Sequence, residues 1–350
     1  MNYKLMLRML GRTLQVEALC LIIPMLVALY YREDPLPFLY TILPVGILGT
    51  LLARLRSNAE FFSQEGFTVV GLIWLSFCLF GALPFWFSGE FASFADCFFE
   101  SASGFTTTGG TILPDIESLP RSILFWRAFS SWVGGMGVLI FTMAFLPKVG
   151  GRSQMLFRAE VPGPVSTKLV PQTAHASQIL YLMYFVLTGA EFIALRIAGM
   201  PWFDAITTTF SCVCTGGFSV MNQSLGAYNL PACEVIAIVF MLLGSLNFAF
   251  FFLVITGRAR QALRSDELKF FLGAVVVVSL LVFGNILPHY DSASHALRDA
   301  VFQVTSVIST SGFSTADYNL WPTFSQTLLL LLMVAGGCSG STAGSIKGGR

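Results

Sequence analysis

Asp96-Cys-Phe-Phe-Glu-Ser-Ala-Ser103-Gly-Phe-Thr-Thr107-Thr-Gly109 governs the reading of this sequence, because the chain carries the pattern three times. The second copy is Asp204-Ala-Ile-Thr-Thr-Thr-Phe-Ser211-Cys-Val-Cys-Thr215-Gly-Gly217. The third is Asp299-Ala-Val-Phe-Gln-Val-Thr-Ser306-Val-Ile-Ser-Thr310-Ser-Gly312. In each, Asp stands thirteen residues before the last Gly, Ser six before and Thr two before. Each copy lies between two long apolar stretches. The repeated unit is therefore a span, a short segment and a second span.

The flanking sequence explains the stretches. Of the 350 residues, 55% are hydrophobic and 11% charged, and the mean hydropathy is +0.74. Soluble domains carry roughly 25% charge, so the chain cannot wet a globular surface. Its 34 Phe exclude disorder, and a net charge of +1 excludes a nucleic-acid binder working through a basic face. The seven Cys read as small hydrophobes, not a disulfide framework, and no removable signal peptide is evident. At about 20 apolar residues per crossing, spans are expected at 14–31, 36–53, 67–88, 123–146, 178–198, 235–256, 268–287 and 325–346. Of the Lys and Arg residues, 15 fall on the side of the termini and 5 on the other, which predicts both termini cytoplasmic. The expectation is an all-α polytopic membrane protein. A leading hairpin covers 1–57, and three repeats cover 58–150, 151–262 and 263–350.

After each Asp come about nine residues without Pro, enough for two helical turns but not a crossing. Asp96, Asp204 and Asp299 are expected to cap these pore helices at their N-termini. The Thr-x-Gly that follows is irregular backbone, tolerated at membrane depth only where it lines a wet cavity. Glycine permits φ > 0, so successive carbonyls can face one way and replace a cation's hydration shell. The candidate ion ligands are Thr107, Thr108, Gly109, Thr215, Gly216, Gly217, Thr310, Ser311 and Gly312. A second irregular stretch falls inside the last span, where four Gly lie within 336–344. Each costs about 1 kcal/mol in a helix interior, so a broken helix is expected. Gly336, Gly337, Gly340, Ser341 and Gly344 are read as a gate. The run ending at Lys347 is no phosphate loop, since Lys does not directly follow the second Gly.

The motifs Ser103-Gly-Phe-Thr-Thr-Thr-Gly109-Gly-Thr, Cys214-Thr-Gly-Gly217-Phe-Ser and Ser309-Thr-Ser-Gly312-Phe-Ser resemble the pore loops of the Trk/Ktr/HKT potassium transporters. Gly336-Gly-Cys-Ser-Gly-Ser-Thr-Ala-Gly-Ser-Ile-Lys347 resembles that family's intramembrane loop. The resemblance covers essentially the whole chain. It implies a potassium uptake pore of four repeats around one axis, with K+ at the filter as the transported ion and glycine at position 109 favouring potassium over sodium. It further implies a homodimer in the lipid bilayer of a bacterial inner membrane. A TrkA-like cytoplasmic ring would bind nucleotide, with no cofactor in this chain. A fourth filter glycine is expected roughly a hundred residues past Gly312, on the spacing of the first three. Without a fourth strand, selective conduction is not expected. From the residues alone two other readings stay open: a secondary transporter of another small solute, and a non-conducting assembly subunit. No nucleophile with a base in reach points to an enzyme.

Several residues have plainer readings. Trp132-Val-Gly134-Gly-Met-Gly137 and Gly244-Ser-Leu-Asn247 read as faces for close helix approach, with Asn247 a possible cavity residue. Glu191, an acid inside a span, is expected to pair with Arg127 or Arg196. His289, Asp291 and His295 could hold a metal but read as solvated loop residues. Cys212 and Cys214 read as packing. Lys347 is placed to answer a half-helix C-terminus.

Overall fold

Apolar sequence leaves its backbone N–H and C=O groups no water to bond, and helix satisfies them within one segment. The computed structural model describes residues 3–55, 63–135, 137, 173–255 and 257–346. These are overwhelmingly helical and contain no β-strand, only an isolated bridge between Ala335 and Ile346. The inner part of the expected fourth span, the cytoplasmic stretch as far as residue 172, the boundaries at 57/58 and 150/151, and Lys347 lie outside the described residues. Residues 1–106 with 110–182 form one compact unit, and 107–109 with 183–350 form a second.

The first unit begins with α1 (Tyr3–Cys20), α2 (Ile22–Tyr31) and α3 (Leu36–Ala53). Lipid tails are as apolar as Leu, so membrane helices associate through close packing at small residues. The α1–α3 contact is built that way. A Cβ on Gly11 would stand 2.5 Å from Ala53 N and 2.6 Å from Leu52 Cβ, and one on Gly49 would stand 2.9 Å from Gly11 O. Further along come α4 (Ser63–Gly81), α5 (Leu83–Ser88), α6 (Phe94–Phe105) and α7 (Arg121–Gly135). The Glu33 carboxylate accepts from the backbone N–H groups of Arg121 (2.7 Å) and Ser122 (2.9 Å). It thus serves the orphan donors and positive dipole end of α7 from a distant part of the chain. Phe77, Phe105 and Trp126 stack edge to face at the centre, and Trp126 Nε1 donates to Gly81 O at 3.0 Å.

The second unit takes in most of α8 (Thr173–Ile197), then α9 (Trp202–Val213), α10 (Pro231–Gly244), α11 (Phe248–Ile255), α12 (Ala259–Leu263), α13 (Asp266–Ile286), α14 (Ala293–Ile308) and α15 (Thr323–Val334). One apolar cluster joins Leu195, Ala205, Cys212, Ala237 and Met241 around the second short helix. Another joins Phe271, Val275, Ala300, Val304 and Leu329 around the third.

Among the described residues five helical segments are long and apolar enough to cross a membrane: Tyr3–Tyr31, Leu36–Ala53, Phe67–Ser88, Leu180–Ile197 and Asp266–His289. The expected continuous span at 235–256 is corrected. It is broken at 245–247, where Ser and Asn follow Gly244 and their side chains compete with the helix for backbone groups. The span expected at 325–346 stops at Val334, and its glycine-rich remainder is not helical.

Gly11→Val should destabilise the leader by about 1–3 kcal/mol, the usual cost of overpacking. Gly71→Val, whose Cβ meets nothing within 4 Å, should be close to neutral. Thermal unfolding in detergent, followed by size-exclusion, distinguishes the two; equal melting temperatures would show that the α1–α3 contact yields without cost.

Candidate functional site

Each short helix ends in the same backbone turn. Thr107, Thr215 and Thr310 have φ of 54°, 54° and 59°, and Gly109, Gly217 and Gly312, two residues on, have φ of 71°, 75° and 82°. The glycines were legible in the sequence. The threonines were not, because a β-branched residue at positive φ is a rare outlier. Three such outliers at one register are a built feature, and strain of this kind gathers at functional sites. Turning the chain in this way directs the strand's amides back onto its own pore helix. Gly216 N and Gly217 N donate to Ser211 O at 2.7 and 3.3 Å, and Ser311 N and Gly312 N donate to Ser306 O at 3.0 and 3.3 Å. With these backbone donors occupied, the strand's remaining backbone polar groups are its carbonyls, the cation-binding half of the peptide.

The second unit holds all three strands. A Cβ on Gly109 would overlap the carbonyl of Gly216, and one on Gly217 would overlap that of Ser311, so backbone meets backbone with no room for a side chain. At Gly312 the same position is open, with nothing within 4 Å. Beyond the strands, Gly226 N donates to Ser314 O (3.1 Å) and Ser314 N to Ser224 Oγ (3.2 Å), which locks the second and third repeats together.

The expected caps are corrected. Ser93, not Asp96, caps α6, its Oγ accepting from Asp96 N at 3.2 Å. Asp204 lies in the first turn of α9, whose N-cap position is Pro201. Both carboxylates still sit in the favourable dipole end of their helices. Asp299 is mid-helix, because α14 starts at Ala293. It is buried, and it accepts from Tyr290 OH (2.9 Å) and Thr315 Oγ1 (3.1 Å), with His295 Nε2 at 3.3 Å. Burial, and then the Asp299 charge, push the Tyr290 phenol up to about 12, so it remains a donor at neutral pH. His295 is thus engaged with Asp299, and no metal-binding group of His, Cys, Asp or Glu forms among the described residues.

The expected pairing of Glu191 is also corrected. Arg127 binds Glu100 and Arg196 Nη1 donates to Met200 O, while Glu191 is buried beside Cys212. Gly134 does serve close approach, since a Cβ there would overlap the carbonyl of Phe105. All seven Cys are buried.

The segment after Val334 closes on itself through Gly336 N to Ile346 O at 3.0 Å. Its interior docks on the break between α10 and α11. Cys338 N donates to Ser245 O (3.0 Å), Thr342 N to Gly244 O (3.3 Å), and Phe248 N to Gly340 O (3.0 Å). Thr342 Oγ1 reaches Gly244 O (2.9 Å) and Val213 O (3.2 Å), the latter at the end of a pore helix. Gly344 N donates to Thr310 Oγ1 at 2.7 Å, so the loop touches a Thr-x-Gly strand directly. Ser339 N donates to Glu267 Oε1 at 2.6 Å. Gly244–Asn247 is more than a face for close helix approach: it is the loop's receptor, because two interrupted backbones supply each other's missing partners.

The chain is similar to known proteins over almost its whole length. A family model described as TrkH, cation transport protein, matches residues 38–350. The Trk system potassium uptake protein TrkH of Salmonella typhimurium is 39% identical over an alignment of 358 residues, covering 99% of this chain and 74% of that protein. The Trk system potassium uptake protein TrkG of Escherichia coli is 35% identical, covering 99% and 73%. The crystal structure of the potassium transporter TrkH from Vibrio parahaemolyticus superposes with a TM-score of 0.88 at 33% identity, covering 99% of this chain and 73% of that one.

Thr342→Val keeps the shape but removes the hydroxyl that bonds Val213 O and Gly244 O. Gly244 O keeps its bond from Thr342 N, but leaving the buried Val213 O without its donor costs about 1–3 kcal/mol, so amide hydrogen exchange across 336–346 should quicken by about tenfold or more. Unchanged exchange would mean that the loop is held by its backbone bonds alone.

Proposed function

Because this chain belongs to the TrkH family of cation transport proteins, we propose that it takes up potassium across the cell membrane along its Thr-x-Gly strands. The family is one of multi-pass membrane transporters, not enzymes. One observation carries the reading: Thr107/Gly109, Thr215/Gly217 and Thr310/Gly312 repeat one backbone conformation, with the second and third strands' amides bonded to their pore helices. A dehydrated cation needs carbonyl oxygens in place of water, and such strands offer them without side chains in the way. Thr107, Thr108, Gly109, Thr215, Gly216, Gly217, Thr310, Ser311 and Gly312 are the proposed ion ligands.

The loop at 336–344, with Gly336, Gly337, Gly340, Ser341 and Gly344, is the proposed gate. The bond from Gly344 N to Thr310 Oγ1 supports this, since it ties the loop to a filter strand. Undocking the loop would free polar backbone at membrane depth, a cost that keeps a gate closed until something offsets it. The proposed setting is a bacterial inner membrane with both termini cytoplasmic, supported by the split of 15 to 5 in basic residues. The proposed assembly is a homodimer carrying a TrkA-like nucleotide-binding ring, supported by relatives that are named as components of a Trk system.

Expression of the complete coding sequence should restore growth on low potassium to a cell that lacks its own uptake systems. Absence of rescue and of rubidium influx, with the protein present in the membrane, would overturn the reading. Gly109→Ser should lower the preference for potassium over sodium by about tenfold or more, because a Cβ at φ 71° costs about 1–2 kcal/mol and meets the Gly216 carbonyl. Sodium competition equal to that of the native protein would remove Gly109 from the filter.

A further inference from the structure

The first pore helix carries a charge that its two counterparts lack. Glu100 stands nine residues before Gly109, and the same register holds Thr208 before Gly217 and Gln303 before Gly312. Glu100 and Arg127 are 0% and 1% exposed and meet at 2.7 Å, Arg127 Nε donating to Glu100 Oε1. The carboxylate is also bonded on its other side. Thr111 Oγ1 donates to Oε1 at 2.9 Å and lies 3.1 Å from Oε2, and Ile112 N lies 3.3 Å from Oε2. Thr111 and Ile112 are the second and third residues after Gly109. Ser103 Oγ adds a bond to Gly110 O at 2.5 Å.

As a source of stability a buried ion pair is poor, since desolvation of both partners offsets the attraction. As a positioning device it is strong, because charge-assisted bonds are short and directional. Arg127 from α7 fixes the Glu100 carboxylate, and the carboxylate fixes the chain leaving the first Thr-x-Gly strand. The third repeat solves the same problem with neutral chemistry: Gln303 Nε2 donates to Ala316 O at 3.0 Å, four residues after Gly312. The first strand is therefore held from behind by charge, and the third at this register by an amide.

The geometry points to Glu100 and Arg127 as positioning residues that set ion selectivity, by preventing the Thr107–Gly109 carbonyls from closing onto an ion smaller than potassium. A sodium ion needs its ligands nearer than potassium does, and a strand free to move inward would supply them. This rests on the reading of Thr107–Gly109 as filter.

The test is sodium competition against rubidium uptake by the complete protein, alongside size-exclusion and thermal unfolding. Three variants are compared with Gly109→Ser: Glu100→Gln; Glu100→Gln combined with Arg127→Met, which leaves no uncompensated charge; and Thr111→Val, which removes a single hydroxyl. Each should let sodium compete about tenfold better, the scale of one charge-assisted hydrogen bond. If Glu100→Gln alone fails to fold, the double variant and Thr111→Val decide. Folded variants with native sodium competition, while Gly109→Ser relaxes it, would overturn the positioning role and leave the filter reading intact. Native competition in Gly109→Ser as well would overturn the filter reading itself.

Discussion

At membrane depth a peptide group that leaves the helix must find another partner, and this structure is organised around two places where that happens. The Thr-x-Gly strands leave the helical path at the ends of α6, α9 and α14. In the second and third, the strand amides return to Ser211 O and Ser306 O at the pore helix itself. The segment after Val334 leaves the helical path a second time. Its amides meet Ser245 O and Gly244 O, which the break in the neighbouring span has released. Each irregular segment thus requires the other elements to sit where they do.

The requirement extends to conformation. Thr215 and Thr310 accept an unfavourable φ, and surrounding contacts hold them there. Thr215 Oγ1 lies 2.7 Å from Cys214 O, whereas Thr310 Oγ1 receives Gly344 N from the loop. One side chain type at one register is therefore used for a local bond in the second repeat and for contact with the segment after Val334 in the third. A loop that bonds a strained strand residue is mechanically coupled to that strand.

The repeats have diverged most in how the outgoing chain is held. Ser103 and Ser306 both bond a carbonyl seven residues on, at 2.5 and 2.6 Å, while the matching Ser211 Oγ is buried with no hydrogen-bond partner among the described residues. Cys212 and Cys214, small and buried, fill the second repeat's approach instead. The strands share a backbone but not a scaffold. Strands held in such different ways are stiffened unequally, and mutation can separate the individual contributions.

Much was legible in the residues alone. The threefold Asp, Ser and Thr-x-Gly register, the apolar stretches between copies and the glycine density at 336–344 are local properties, and they specified repeat, helix and break without knowledge of any contact. Apart from the unbroken span expected at 235–256, the misreadings concerned partners. Asp96 was expected as a cap, but Ser93 lies one turn earlier and takes that position; Asp299 was expected as a cap, but its helix begins six residues before it. Glu191 was expected to pair with Arg127 or Arg196, but Arg127 meets Glu100, 27 residues away on another helix, and Arg196 donates to Met200 O. Gly244–Asn247 looked like a packing face because the loop that docks there comes about ninety residues later. Periodicity and composition record what each segment must bury. Which polar group meets which is decided only when helices pack, since a rotation of one residue changes the neighbour without changing the pattern.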